Sequence, residues 1–145
     1  MYIISACLTG QNCKYNGGNN ENRHVLDFAR KHKCVLVCPE SFGELPAPRP
    51  PSEIINGRAI DKNGKDITET LKEGAAKSLE KAEIAAAAAS EVIEGAILKA
   101  NSPSCGSGKV YDGTFGGKLA DGDGFFAELL KSRGIKVITE KEIIP

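Results

Sequence analysis

No sign of charge predominates in this chain, and no long apolar run occurs in it. Its 145 residues carry 19 Lys and Arg against 19 Asp and Glu, a formal net charge of zero. Nucleic-acid clamps depend on surplus positive charge, so stable binding to a DNA or RNA backbone is not expected. No window approaches the roughly 20 apolar residues that cross a bilayer, so no membrane span is expected. The opening run Met1-Tyr2-Ile3-Ile4-Ser5-Ala6-Cys7 is too short for a secretory leader and lacks a charged leading region. There is no Cys-x-x-Cys pair, the usual unit of a closed zinc site. Five cysteines is an odd count for a disulfide framework. The reducing cytoplasm is therefore the expected compartment, where cysteines point to metal or catalysis.

The length suits one domain over residues 1–145, by the prior of roughly 150 residues each. Such a chain buries about two-thirds of its unfolded surface and needs no disulfide staples. Tyr2 to Ala6 reads as a buried first strand, followed by a polar, glycine-rich loop from Asn12 to Asn20. Glu21 to His32 has amphipathic helical spacing, and Cys34 to Val37 reads as a second strand ending at Cys38-Pro39-Glu40. Pro46, Pro48, Pro50 and Pro51 predict a stiff extended arm. Ile54 to Ile60 follows as a short strand or arm, with a turn signal at Asn63-Gly64.

A long helix is expected from Asp66, with Asp66 and Glu69 at capping-box spacing. Gly95 to Lys99 reads as a third strand, residues 106–124 as a glycine-rich loop, Phe125 to Arg133 as a helix closed by Gly134, and Ile135 to Ile138 as a last strand. This alternation predicts an α/β fold: a Rossmann-like, open, mostly parallel sheet of about four to five strands flanked by helices. The site is expected at the carboxyl ends of the strands.

Three cysteines fall at those ends. Cys7 follows the first strand, Cys38 ends the second, and Cys105 lies in the loop after the third. Cys34 sits inside a strand and reads as core, and His24 and His32 read as surface residues of a helix. Iron–sulfur clusters usually take four cysteines, so three leave one iron with an open position that can act as a Lewis acid. Cys13 keeps two readings open: a loop thiol, or a fourth ligand that would make the protein an electron or metal carrier. A metal-free thiol enzyme carrying persulfide on a low-pKa cysteine is the other alternative.

The chain resembles the thiouracil desulfurase-like family over nearly its whole length. The matching segments are Ser5-Ala6-Cys7-Leu8-Thr9-Gly10, Cys13-Lys14-Tyr15-Asn16-Gly17, Cys38-Pro39-Glu40, residues 45–54, residues 98–106 and Tyr111-Asp112-Gly113-Thr114-Phe115. The resemblance implies a [4Fe–4S] cluster on Cys7, Cys38 and Cys105, and an open iron that takes the sulfur of a small thiolated base such as thiouracil. It also implies Glu40 and Ser102 as the acid–base pair. Two departures stand out. The family's Arg-Tyr-Asp-Gly is here Lys14-Tyr15-Asn16-Gly17, and its Gly-Gly-Leu is Gly43-Glu44-Leu45.

The chemistry also follows from the residues. Soft sulfur pairs with soft metal, and a thiocarbonyl carbon depleted of charge is open to water, which needs a general base. Glu40, two residues beyond Cys38, is placed for that role, or else caps the following loop. Ser102 could orient base or water, or form a plain Ser-Pro turn. Arg49 reads equally as a partner of a substrate oxygen or of Glu53. Tyr111 and Phe115 are candidates for stacking on a flat substrate, or for ordinary packing. Oligomeric state has no signature in the sequence.

Overall fold

A computed structural model describes residues 1–143. Four parallel strands form the central sheet: β1 (Tyr2–Ser5), β2 (Cys34–Val37), β5 (Gly95–Leu98) and β8 (Val137–Thr139), in the order β2-β1-β5-β8. The remaining strands make two antiparallel ribbons, β3 (Ser52–Ile55) with β4 (Arg58–Asp61), and β6 (Lys109–Tyr111) with β7 (Leu119–Asp121). The helices are α1 (Arg23–Lys31), α2 (Pro39–Phe42), α3 (Thr68–Ala88) and α4 (Phe125–Ser132).

Parallel strands are covered on both faces, which is why β1 and β5 read as unbroken apolar runs. Ile3 packs with Val35, Val37, Ala96 and Leu98 beneath α3 and α4, where Ala75, Leu79, Ala82, Phe126 and Leu130 meet it. Its neighbour Ile4 turns to the other face and packs with Leu8, Val25 and Ile97, covered by α1. Both isoleucines are fully buried. The alternation of successive side chains across a strand thus divides the core into two layers.

The departures from the sequence expectations have local causes. Ile54 to Ile60 is not a single strand: Asn56 and Gly57, both at positive φ, turn the chain back to form the β3–β4 hairpin. The proline arm is preceded by the one-turn helix α2, with Pro39 at its first position, where a missing N–H costs nothing. The glycine-rich stretch contains the β6–β7 ribbon. The capping box does not close. Asp66 Oδ1 accepts the Thr68 amide at 2.9 Å, but Glu69 reaches towards Arg58 instead. Cys34 is half-buried rather than core, because β2 is the sheet edge, and its thiol donates to the His32 carbonyl. His24 and His32 are exposed, and His32 stacks on Phe28.

The one-turn helix α2 is held by close backbone contact with α3. A Cβ on Gly74 would fall 1.8 Å from the Pro39 carbonyl oxygen and 2.9 Å from the Gly43 nitrogen. Gly74→Ala is therefore expected to push α2 away and to cost on the order of 3 kcal/mol, as overpacking does. The shift should appear as a melting temperature roughly 5–10 °C lower. Since α2 follows Cys38 and carries Glu40, the same variant should also load metal poorly.

Candidate active site and cluster pocket

The carboxyl ends of β1, β2 and β5 open into one cavity of about 520 Å³. Cys7, Cys13, Cys38 and Cys105 all line it, with Glu40, Arg49, Glu53, Ser102, Tyr111 and Phe115. The fold places each cysteine through a different device. Cys7 lies in the 3-10 turn Ala6–Thr9 that ends β1, Cys38 caps the start of α2, and Cys105 lies in the turn after β5. None of the five cysteines is in a disulfide.

The thiols have different surroundings. The Asn20 side-chain amide lies 3.4 Å from the Cys7 sulfur. Burial still pushes the Cys7 thiol up, and this Asn20 contact pulls it partly back. Cys105 is 5 % exposed, and burial pushes its thiol well above the ordinary range. Cys38 is pulled down to about 6, first by hydrogen bonding from the Cys13 thiol and then by the Ser41 hydroxyl and amide. The same pairing pushes Cys13 up. The Cys38 sulfur also lies 3.8 Å from the Cys13 carbonyl, a contact it could make only as a protonated donor. That contact is long, and the Cys13 carbonyl also accepts a 2.7 Å bond from Arg49 Nη2.

Glu40 sits at the centre of a small network. Its Oε1 accepts from Arg49 Nε at 2.9 Å and its Oε2 from the Ser104 hydroxyl at 3.3 Å. The Arg49 side chain is 5 % exposed. It donates further to the Pro46 carbonyl at 2.9 Å and to the Cys13 carbonyl. One guanidinium thus ties the proline arm, the Cys13 loop and Glu40 together. The sequence reading that paired Arg49 with Glu53 is corrected: its carboxylate partner is Glu40. Removing one member of such a buried pair leaves the other uncompensated, so Arg49→Ala is expected to cost about 3–5 kcal/mol in urea unfolding of the apoprotein.

Ser102 Oγ accepts the Cys105 amide at 2.7 Å, so it forms the turn that presents Cys105, and among the described residues its hydroxyl donates to no acceptor. Tyr111 ends β6 with 37 % of its surface exposed, and Phe115 is half-buried in the β6–β7 loop. Several neighbours escaped sequence reading. Ser104, Ser41 and Asn20 touch Glu40, Cys38 and Cys7. Lys99, paired with Glu140 at 3.0 Å, places a cation near Cys7. Ser41 and Ser104 adjoin Glu40 and Cys105 in sequence, the one signal that marked them. Asn20 had none, being one of several asparagines in a polar loop.

Among the described residues, no three His, Cys, Asp or Glu side chains close around a single-ion position. A mononuclear site thus finds no ready cage. A multi-iron cluster spreads its ligands over separate irons, so thiols placed around a shared cavity suit it better.

A protein of Bacillus subtilis (strain 168) called YbbK, itself described as uncharacterized, is 42% identical over 154 residues, covering 99% of this chain and 97% of that one. A solved structure titled as the [4Fe–4S]-dependent thiouracil desulfidase TudS superposes with a TM-score of 0.83 at 35% identity, covering 98% of this chain and 91% of that chain. The family model for 2-thiouracil desulfurase matches residues 2–142, and the chain belongs to that family.

Proposed function

We propose that this protein removes sulfur from a thiouracil-like thiocarbonyl compound, using a [4Fe–4S] cluster held by Cys7, Cys38 and Cys105. The observation that carries this reading is the meeting of three thiols, from three separate strand ends, with one networked carboxylate in a single cavity. The donor set fits the group: soft thiolate ligands suit iron, and Cys38 is already disposed to be a thiolate. When bound, the cluster supplies a soft, Lewis-acidic iron that draws charge onto the sulfur of a C=S group.

The remaining chemistry falls to the chain. The balance is hydrolytic: water adds to the thiocarbonyl carbon, the C–S bond breaks, and the oxo-compound and hydrogen sulfide leave. Glu40 takes the proton of the attacking water and returns a proton to the departing sulfur. Arg49 and Ser104 fix where its two oxygens point. Ser102 orients water or substrate through the proton its turn leaves free. Tyr111 and Phe115 flank the opening as platforms for a flat ring. Residues 1–145 act as one domain in this reading. The balanced charge favours a small thiolated molecule over a nucleic-acid backbone. A reducing, cytoplasmic setting suits the free thiols. The direct test is sulfide release from 2-thiouracil by the anaerobically reconstituted protein. Sulfide and uracil in equal amounts support the reading, and release without iron would point to a metal-free thiol enzyme instead.

A second reading rests on Cys13, whose thiol abuts Cys38 in the same cavity. As a fourth ligand it would close the cluster and leave a carrier. Cys13→Ser separates the two: a variant that keeps its iron and its brown colour supports the open corner, and loss of the cluster supports the carrier.

A further inference from the structure

Glu53 carries an obligation that the protein alone does not meet. It is 8 % exposed, on β3, and it lines the cavity. Its Oε1 accepts two backbone amides of the β6–β7 loop, Gly113 at 3.0 Å and Phe115 at 3.1 Å. Among the described residues no donor reaches its Oε2 and no cation pairs with the carboxylate. No fully enclosed side-chain oxygen or nitrogen lacks a partner among the described residues, so Oε2 must have open space beside it. For a residue this buried on the cavity wall, that space is the cavity itself. A carboxylate oxygen that no protein donor occupies, on the wall of the cavity, is placed to accept from a donor that a ligand brings.

Resting on the desulfurase reading, we infer that Glu53 is a specificity-determining residue whose Oε2 accepts the ring N–H of a cyclic thioamide substrate, the –NH–C(=S)– unit. The two amide bonds to Oε1 do a second job. They tie Phe115 to the same carboxylate, so the aromatic side chain and the N–H acceptor are placed together. A ring that offers an N–H on its edge and a flat face to Phe115 fits both. A thiocarbonyl compound without an N–H leaves Oε2 unpartnered and is rejected, because sites built to hydrogen-bond a substrate group discriminate strongly against analogues that lack it.

The Glu53→Gln variant tests this cleanly. The two loop amides can be satisfied only by an acceptor, so the glutamine carbonyl takes the place of Oε1 and its NH2 faces the cavity. The loop stays tied while the cavity atom changes from acceptor to donor. In the reconstituted wild type, 2-thiouracil is expected to outperform 1,3-dimethyl-2-thiouracil in kcat/KM by on the order of tenfold or more. In Glu53→Gln that preference should collapse, mainly through KM for 2-thiouracil, with iron content and visible spectrum unchanged. A readout free of turnover is ligand-observed NMR of the holoprotein with uracil against 1,3-dimethyluracil, where the wild type should bind uracil selectively and the variant should not. A wild type that treats the two uracils alike, or binds neither, overturns the inference. So does a Glu53→Gln protein that keeps full selectivity. Failure of sulfide release from every thiocarbonyl compound would instead defeat the desulfurase reading, and selective uracil binding would still judge Glu53.

Discussion

Replacing any one of Cys7, Cys38 or Cys105 by alanine is expected to remove both the cluster and sulfide release, taking iron content and activity to background. With only three proposed protein ligands, there is none to spare, and the loss of one thiolate exposes a second iron. The three variants should differ in what else they disturb. Cys7 and Cys38 are half-buried at a cavity wall, so their apoproteins should melt close to the wild type. Cys105 belongs to the first core layer with Phe126 and Leu130, and its truncation should cost about 1 kcal/mol in addition. Iron and acid-labile sulfide analysis, with a melting curve for each apoprotein, checks the set. A Cys7→Ala protein that retains cluster and activity would remove Cys7 from the ligand set.

The second large effect is expected at Glu40. Glu40→Gln preserves shape, its carbonyl can still accept from Arg49 and its NH2 can donate to the Ser104 hydroxyl oxygen, but it can no longer take up a proton. The expected loss is about 10²–10⁴-fold in kcat, the range of general acid–base catalysis, with the cluster spectrum intact. That separation distinguishes a proton-transfer role from a structural one. Some stability is lost in either case, because the Arg49 charge goes unpaired, but a glutamine variant that keeps its turnover would leave Glu40 as an anchor only. Single-turnover sulfide release alongside the visible spectrum decides between them.

Much of the architecture was legible because parallel strands are buried on both faces. The apolar runs at β1, β2 and β5 could be read directly, and with them the positions of Cys7 and Cys38 at strand ends. The β6–β7 ribbon was not, since its strands are three residues each and mostly exposed, and no buried face imposes a period. Helix α2 was hidden by its own Pro39, which at the first helical position starts a helix instead of breaking one. Cys34 and Cys105 show how strand position can mislead: the strand cysteine lies on the sheet edge and is half-exposed, and the loop cysteine is packed into the core.

The site divides along the same line. Cys7, Cys38 and Glu40 could be picked out beside strand ends, Arg49 and Glu53 in the proline-rich arm, and Tyr111 and Phe115 in the glycine-rich loop, whereas Ser41, Ser104 and Asn20 could not. The pairings were not legible. Arg49 finds Glu40 across nine residues, Ser104 finds it across 64, and Gly113 finds Glu53 across 60. No local period encodes such contacts; they follow from the way the arm and the two ribbons fold over the sheet. The sequence offered Arg49 a pairing with Glu53, whereas the structure pairs it with Glu40 and leaves Glu53 lining the cavity.

The most direct test of three thiolates and one vacant metal corner is Mössbauer spectroscopy of the 57Fe-reconstituted protein before and after adding sulfide. One iron distinct from the rest, whose signal alone moves when sulfide is added, is the expected result. A set of irons with uniform thiolate ligation that ignores sulfide, or a protein that holds no cluster under anaerobic reconstitution, would contradict it.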